Sequence, residues 1–315
     1  MLRKLSCAVI GVGNMGKHHA RLYSQMAKLI AVADPVEKIA KQIAKKYNCA
    51  YYRNYKTMIG NEKIDALSIV VPTKYHETVA DYSLRNKIPT LLEKPISDNL
   101  DSAIRIVEQA KESKTLLMVG HLERFNPAVI KLKQLIERKK FGRIIGLNSI
   151  RVGINPPPTK GSDVSLDLGI HDIDVFSYLL EETPIEAKVV RGKIHDKNIA
   201  DHASILLRYR FASGIIQTNW MTPIKIRKLY ITGTYGFAEL DYISQKLILY
   251  EHPSQNKIQN NFKSLQTLVK NPKKQIFISK KEPLMEELNH FLNLVRLKKT
   301  EYPYFAVDAL KVALS

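Results

Sequence analysis

Short, continuously apolar runs alternate with stretches of helical periodicity over the first 120 residues. Leu5 to Ile10, Leu29 to Ala33, Asp65 to Val71, Thr90 to Leu92 and Leu116 to Val119 are the runs. They do not alternate polar with apolar positions, so each predicts a strand covered on both faces. Between them, Val36 to Tyr47 and His76 to Asn86 predict helices. Leu100, Ala103, Ile104, Val107 and Ala110 repeat with helical period behind Asp98, a predicted N-cap. Strands alternating with helices predict a parallel, doubly wound sheet that ends near Gly120.

Beyond Gly120 the pattern changes. Pro127 to Arg138 predicts a helix. Ile144 to Val152, Ala187 to Ile194, Ala203 to Tyr209, Gly214 to Trp220, Lys228 to Thr232 and Phe237 to Asp241 predict strands. Turns as short as Ala212-Ser213-Gly214 and Gly233-Thr234-Tyr235-Gly236 join several of them, and such connections require antiparallel neighbours. His252 to Lys281 is polar and weakly patterned, which predicts loop with at most one strand. Leu284, Leu288, Phe291, Leu292 and Val295 form one stripe of a late helix.

The first apolar run leads into Gly11-Val-Gly13-Asn14-Met15-Gly16, which opens a helix; the second run ends at Asp34, 18 residues past Gly16. Strand, glycine loop, helix and acid in this order are the context of a dinucleotide-binding unit. Gly11 permits the tight turn, Gly13 lets a pyrophosphate approach the backbone, and Gly16 lets the helix pack against the sheet. The free N–H groups of the helix start face the phosphates. Asp34 accepts hydrogen bonds from an adenosine ribose and repels a 2′-phosphate, which favours NAD. Pro35-Val36-Glu37 offers no arginine clamp, and Lys38 is the nearest base. The expected fold class is α/β. An N-terminal Rossmann domain (residues 1–120) binds NAD, and a C-terminal α+β domain (residues 121–315) carries a mainly antiparallel open sheet.

Bulk properties narrow the class. The 315 residues are 45% hydrophobic, as in a soluble globular protein of two domains. No run of 18 apolar residues occurs, so no membrane span is expected. The apolar stretch before Cys7 is too short for a signal peptide, and a cytoplasmic location is expected. Cys7 and Cys49 are the two cysteines, without a CxxC or Cys/His cluster, so neither a disulfide framework nor a metal site is expected. The net charge is +19, but the basic residues are spread along the chain. The densest group, Lys270 to Lys281, lacks aromatic interleaving, so a nucleic-acid partner is not expected. The charge reads as a lysine-rich surface, whose field also suits an anionic substrate such as a nucleotide sugar.

Three further groups carry chemistry. Glu93-Lys94-Pro95 stands at the carboxyl end of a predicted parallel strand, the edge where such sheets bind ligands. Asp167 and His171 are four residues apart, on one face if the segment is helical. Gly120-His121-Leu-Glu123-Arg124-Phe125-Asn126-Pro127 lies at the predicted domain junction. Together with the glycine loop, and in this order, these motifs resemble the Gfo/Idh/MocA oxidoreductases over essentially the whole chain. The resemblance implies oxidation or reduction of a hydroxyl on a sugar, inositol or sugar nucleotide. It also implies a homodimer or homotetramer built through the open sheet. By motif, Lys94, Asp167 and His171 match the family's catalytic lysine, acid and histidine. His171 would be the base for the hydroxyl proton, Lys94 would donate to the developing alkoxide or relay the proton, and Asp167 would hold the substrate or orient the imidazole. Pro72, Thr73, His76 and Glu93 would join the glycine loop around the cofactor, and Pro95 matches a position that is often cis. His76 has the alternative of simply starting its helix, Asp167 of capping one, and His121 of lying at the junction without touching ligand. His18 and His19 are expected at solvent or on the helix surface.

The stretch from Gly120 to Pro127 is similar to the subgroup that oxidises the 3-hydroxyl of UDP-N-acetylhexosamines, with UDP-N-acetylglucosamine the expected substrate. A pyridoxal-phosphate aminotransferase would then convert the 3-keto product towards 2,3-diamino sugars of lipopolysaccharide or surface glycans. Arg124 would pair with a substrate phosphate, or else with Glu123 or another acid; Asn126 would bond a sugar hydroxyl or the N-acetyl group. Asn155 to Gly161, rich in proline, would cover the substrate. The alternatives are an inositol 2-dehydrogenase or other NAD-dependent polyol dehydrogenase, and a catalytically silent, cofactor-bound sensor. Intact Lys94, Asp167 and His171 argue against the sensor.

Overall fold

The structure is a computed structural model that describes residues 3–154, 163–195, 198–251 and 273–315. The predicted substrate-covering loop at 155–161 and residues 252–272 of the polar stretch lie outside the described residues. The chain divides into two compact units, Met1–Leu122 with Glu282–Lys311, and Glu123–Lys281 with Val312–Ser315.

The first unit alternates strands and helices: β1 (Ser6–Ile10), α1 (Gly16–Met26), β2 (Lys28–Ala33), α2 (Glu37–Tyr47), β3 (Ala50–Tyr52), α3 (Tyr55–Asn61), β4 (Ala66–Ile69), α4 (His76–Arg85), β5 (Thr90–Glu93), α5 (Leu100–Glu112) and β6 (Leu117–Gly120). Its strands pair in parallel in the order β3-β2-β1-β4-β5-β6. The order reverses between β1 and β4, which makes their carboxyl edge the topological switch point. β1, β4, β5 and β6 are almost wholly buried, as their unbroken apolar runs require. β3 and α3 were not legible in the pattern, because β3 is a three-residue, partly exposed edge strand. The cap of α5 is Asn99 rather than Asp98: the Asn99 side chain accepts from the Ser102 N–H at 2.9 Å.

The single cut at residue 120 is corrected at the C-terminus. Glu282–Lys311 belongs to the first unit. The predicted stripe is there: α8 (Pro283–Arg296) buries Leu284, Leu288, Phe291 and Leu292 and packs on α1, with Arg21 donating to Glu282. In α9 (Tyr304–Leu314), the Tyr304 hydroxyl donates to Glu108 at 2.6 Å.

The second unit contains α6 (Pro127–Glu137), β7 (Ile144–Val152), a π-type turn (Ser165–Gly169) running into α7 (Ile170–Leu180), and β8 (Glu186–Gly192), β9 (His202–Arg208), β10 (Ser213–Asn219), β11 (Ile226–Gly233), β12 (Gly236–Asp241), β13 (Lys246–Glu251) and β14 (Lys273–Ile276). The sheet order is β14-β13-β12-β11-β7-β10-β9-β8, antiparallel throughout except for the parallel pair β7–β10. The period-two pattern sends Leu147, Ile205, Ile216, Leu229, Ile231 and Leu240 to a buried face. Val190, Leu206 and Ile215 stand exposed on the other, and Ile145 is exposed at the register shift near the start of β7.

Candidate active site

In the first unit, β1 runs into Gly11, whose φ of +80° is strained for any other residue; a Cβ there would lie 2.4 Å from the Val70 carbonyl oxygen. A Cβ on Gly16 would lie 1.8 Å from the Gly11 oxygen, so this glycine sets the close approach of α1 to the loop. At Gly13, by contrast, a Cβ would meet nothing within 4 Å. Gly13, Asn14 and Met15 are exposed, and the first turn of α1 holds no acidic side chain. The loop therefore presents open backbone and a helix start to an anion, and it fits a dinucleotide pyrophosphate.

Asp34 closes β2 with one oxygen accepting from Val12 N–H at 3.0 Å and the other from Val36 N–H at 2.9 Å. These bonds aim the carboxylate across the loop, as a ribose acceptor requires. Lys38 is exposed on α2. After β4, Pro72 precedes a short 3₁₀ turn (Thr73–Tyr75), and His76 opens α4. The His76 ring is buried, with Nδ1 2.9 Å from the Pro95 carbonyl and Nε2 2.9 Å from the Val71 carbonyl. It ties the loop after β4 to the Glu93-Lys94-Pro95 turn, with both ring nitrogens next to backbone carbonyls at the start of α4. Burial lowers its pKa more than the carbonyls raise it.

Glu93 is buried beneath that turn. Its Oε1 lies 3.0 Å from His19 Nε2, and its Oε2 accepts from the Lys94 N–H at 3.1 Å. His19 Nδ1 lies 3.1 Å from Ser68 Oγ, which is 2.7 Å from the Tyr23 hydroxyl. His19 is thus fully buried, contrary to the surface position expected for it, while His18 is exposed. Burial opposes the charge on Glu93, but His19, the Lys94 ammonium and the Lys94 N–H outweigh it and hold the carboxyl below its ordinary value. Glu93 therefore supports the Lys94 backbone from beneath the turn. Lys94 is half-buried at the carboxyl end of β5, and the Lys94–Pro95 peptide is cis. His121 is buried edge-on to Phe305, ring centroids 5.8 Å apart.

In the second unit, Asp167 lies in the π-type turn and His171 in the first turn of α7, both half-buried among buried neighbours. The Trp220 indole N–H donates to Asp167 Oδ2 at 3.2 Å, fixing the carboxylate at the edge where β7 and β10 end. Arg124 does not wait for a phosphate. Its Nε and Nη2 form a fork on Asp174 at 2.8 and 2.7 Å, the acid-pairing alternative. Asn126 is engaged within the chain as well. It caps α6 by accepting from Ala128 N–H at 3.1 Å, and its amide donates to Glu123 and to the Tyr242 carbonyl, leaving it buried in the chain.

Sequence reasoning missed a buried charge cluster in this unit. Arg151 donates to Asp172 at 2.5 and 3.4 Å and to Glu123 at 3.0 Å; the Tyr242 hydroxyl donates to Asp172 at 3.0 Å. Burial penalises the Arg151 charge, but Asp172 and Glu123 more than offset this and raise its pKa further. Arg227 is buried opposite Arg151 across the β7–β11 register. The sequence held a signal. Arg151 and Arg227 fall on the same period-two positions as Leu147 and Ser149, and as Leu229 and Ile231. Asp172 and Asp174 interrupt an apolar helix.

Comparison with known proteins agrees with this architecture. Residues 5–121 match the profile described as "Oxidoreductase family, NAD-binding Rossmann fold", and residues 129–239 match the "GFO/IDH/MocA C-terminal domain". UDP-N-acetylglucosamine 3-dehydrogenase of Acidithiobacillus ferrooxidans is 27% identical over 77% of this chain and 75% of its own length. The scyllo-inositol 2-dehydrogenase (NAD(+)) of Bacillus subtilis is 29% identical over 57% of this chain and 55% of its own. A solved structure of the Acidithiobacillus enzyme superposes with a TM-score of 0.86 at 23% identity, over 100% of this chain and 96% of that one, which shows the shared fold.

Proposed function

The chain belongs to the Gfo/Idh/MocA family of NAD-dependent oxidoreductases, and from that premise we propose that it oxidises the 3-hydroxyl of a UDP-N-acetylhexosamine, foremost UDP-N-acetylglucosamine, to the 3-keto sugar. The observation that carries the substrate is the similarity to the Acidithiobacillus enzyme, which aligns over a longer share of both chains than the inositol enzyme does.

Gly11, Gly13, Asn14, Met15 and Gly16 receive the pyrophosphate, Asp34 the adenosine ribose, and Pro72 and Thr73 flank the dinucleotide. Bound NAD supplies the acceptor for the hydride that leaves carbon 3. His171 takes the proton of the 3-hydroxyl, since an imidazole is the side chain suited to general-base work near neutral pH. The Lys94 ammonium donates to the oxygen as negative charge develops on it, and the cis turn anchored by His76 and Glu93 fixes the backbone that carries it. Asp167, held by Trp220, orients the sugar. A 3-keto sugar is a substrate for a pyridoxal-phosphate aminotransferase, which we assign as the functional partner in a lipopolysaccharide or surface-glycan route. The exposed apolar residues Ile145, Val190, Leu206 and Ile215 support a homo-oligomer. Among the described residues no helix is long and apolar enough to cross a membrane. The cytoplasm is the location assigned to the reaction as part of this reading, on the sequence expectation alone.

The fork of Arg124 on Asp174 favours one second reading, an inositol or polyol dehydrogenase, because that arginine is committed away from phosphate. NADH formation with UDP-N-acetylglucosamine and with myo-inositol, in the presence of a 2-oxoacid to recycle bound NADH, separates the two. Turnover of the nucleotide sugar alone is expected. Turnover of inositol alone would replace the reading.

A further inference from the structure

Two buried arginines face each other across β7 and β11, and they are treated differently. Arg151 has a carboxylate on each of its three nitrogens, with Nε and Nη2 on Asp172 and Nη1 on Glu123. Arg227 is only 9% exposed, yet no described carboxylate lies within ion-pair distance of it. Its Nη1 donates to the carbonyl oxygens of Val152 at 2.5 Å and Ile226 at 2.8 Å. Those bonds lock the plane of the guanidinium and leave the Nε/Nη2 edge without an acceptor among the described residues. That edge is the fork that fits two oxygens of one carboxylate or phosphate.

The setting points the same way. A buried guanidinium without a counterion is costly, and folding alone gives no reason to keep one. Burial and the neighbouring Arg151 charge lower its pKa to about 10, partly opposed by Asp172, Glu123 and Asp167, so it stays a cation at neutral pH. The carbonyls that hold it belong to the last residue of β7 and the first of β11. This is the strand-end edge where Trp220, just after β10, holds Asp167. One edge of the unit thus carries a cation with no ion pair among the described residues and the acid assigned to the sugar.

We propose that Arg227 reads the negative charge of the substrate, taking two oxygens of an anionic group on its Nε/Nη2 edge. This rests on the reading of the chain as a dehydrogenase of anionic sugars, and it gives to Arg227 the role that Arg124 does not fill. The shared chemistry is a bidentate oxyanion, either the diphosphate of a nucleotide sugar or a carboxylate on the sugar itself.

The test compares wild type with Arg227→Gln and Arg227→Lys, using UDP and glucuronate as probes in calorimetric titrations on the NADH-loaded protein. Arg227→Gln is expected to weaken UDP binding about 30-fold or more, and Arg227→Lys to restore only part of it, because a lysine keeps the charge and loses the fork. NADH affinity should not change. The melting midpoint of Arg227→Gln should be no lower than wild type, since the substitution removes a charge that no described carboxylate pairs; a purely structural arginine would lower it. Loss of glucuronate binding with UDP binding intact would keep Arg227 as the oxyanion reader and move the anion from the nucleotide to the sugar. Equal UDP binding by all three proteins, with no glucuronate effect, would overturn the role of Arg227 while leaving the nucleotide-sugar reading intact. Failure of wild type to bind either anion would overturn both.

Discussion

The first unit and the second both bury charge, but they compensate it differently. In the first unit the chain answers the charges of Asp34 and Glu93 around one loop cluster. Asp34 is held by two backbone N–H groups, and Glu93 by His19 and the next residue's N–H. In the second unit the charges come from distant strands and helices. Arg151, Asp172, Glu123 and Tyr242 make a closed network, and Arg227 stands beside it with carbonyls alone. The first arrangement suits a ligand common to a whole family, because a loop, a helix start and a strand end are enough to bind it. The second leaves charge to be matched by a substrate, so its pattern can change with substrate while the fold stays.

The contrast can be broken by substitution. The largest expected effect on stability is at the closed network. Asp172→Ala strands the Arg151 guanidinium and should cost about 3–5 kcal/mol in urea unfolding, a loss that the carbonyl-bound Arg227 should not show when replaced. A cost under 1 kcal/mol would mean that water or relaxation compensates Arg151, and the distinction between the two arginines would fail. Next comes Asp34→Ala. It removes the acceptor of two N–H groups and the ribose partner, and should weaken NADH binding about tenfold or more in fluorescence titration. Unchanged affinity would remove the ribose role.

The smallest effect is a pH dependence. Because the Glu93 pKa is lowered in the folded state, its stabilising contribution is complete above the ordinary glutamate value of about 4.3 and is lost as pH falls through the folded value. The stability difference between wild type and Glu93→Gln should therefore be flat from neutral pH to about pH 5 and shrink below it. A difference that grew on acidification would reverse the assigned sign.

The same contrast explains what the sequence disclosed. The glycine loop, Asp34 and the Glu93-Lys94-Pro95 turn were legible because each is local: a few adjacent residues carry both the conformation and the chemistry. The buried strands were legible because unbroken apolar runs leave no exposed face. His19 was not, since one histidine in an amphipathic helix gives no sign that Glu93, 74 residues away, will meet it. The partners of Arg124 and Asn126 were not legible either, because they are likewise distant, Asp174 and the Tyr242 carbonyl. Glu282–Lys311 joined the first unit for the same reason: an apolar stripe states that a helix is buried, but not against what.

In the proposed reaction Lys94 and the NAD-binding loop serve the oxidation of a nucleotide sugar. The direct measurement is the initial rate of NADH formation from UDP-N-acetylglucosamine by wild type and Lys94→Ala, each shown to bind NADH equally. Robust turnover by wild type and a loss of about 10²–10⁴-fold in the variant are expected. Equal rates in the two proteins would contradict the account.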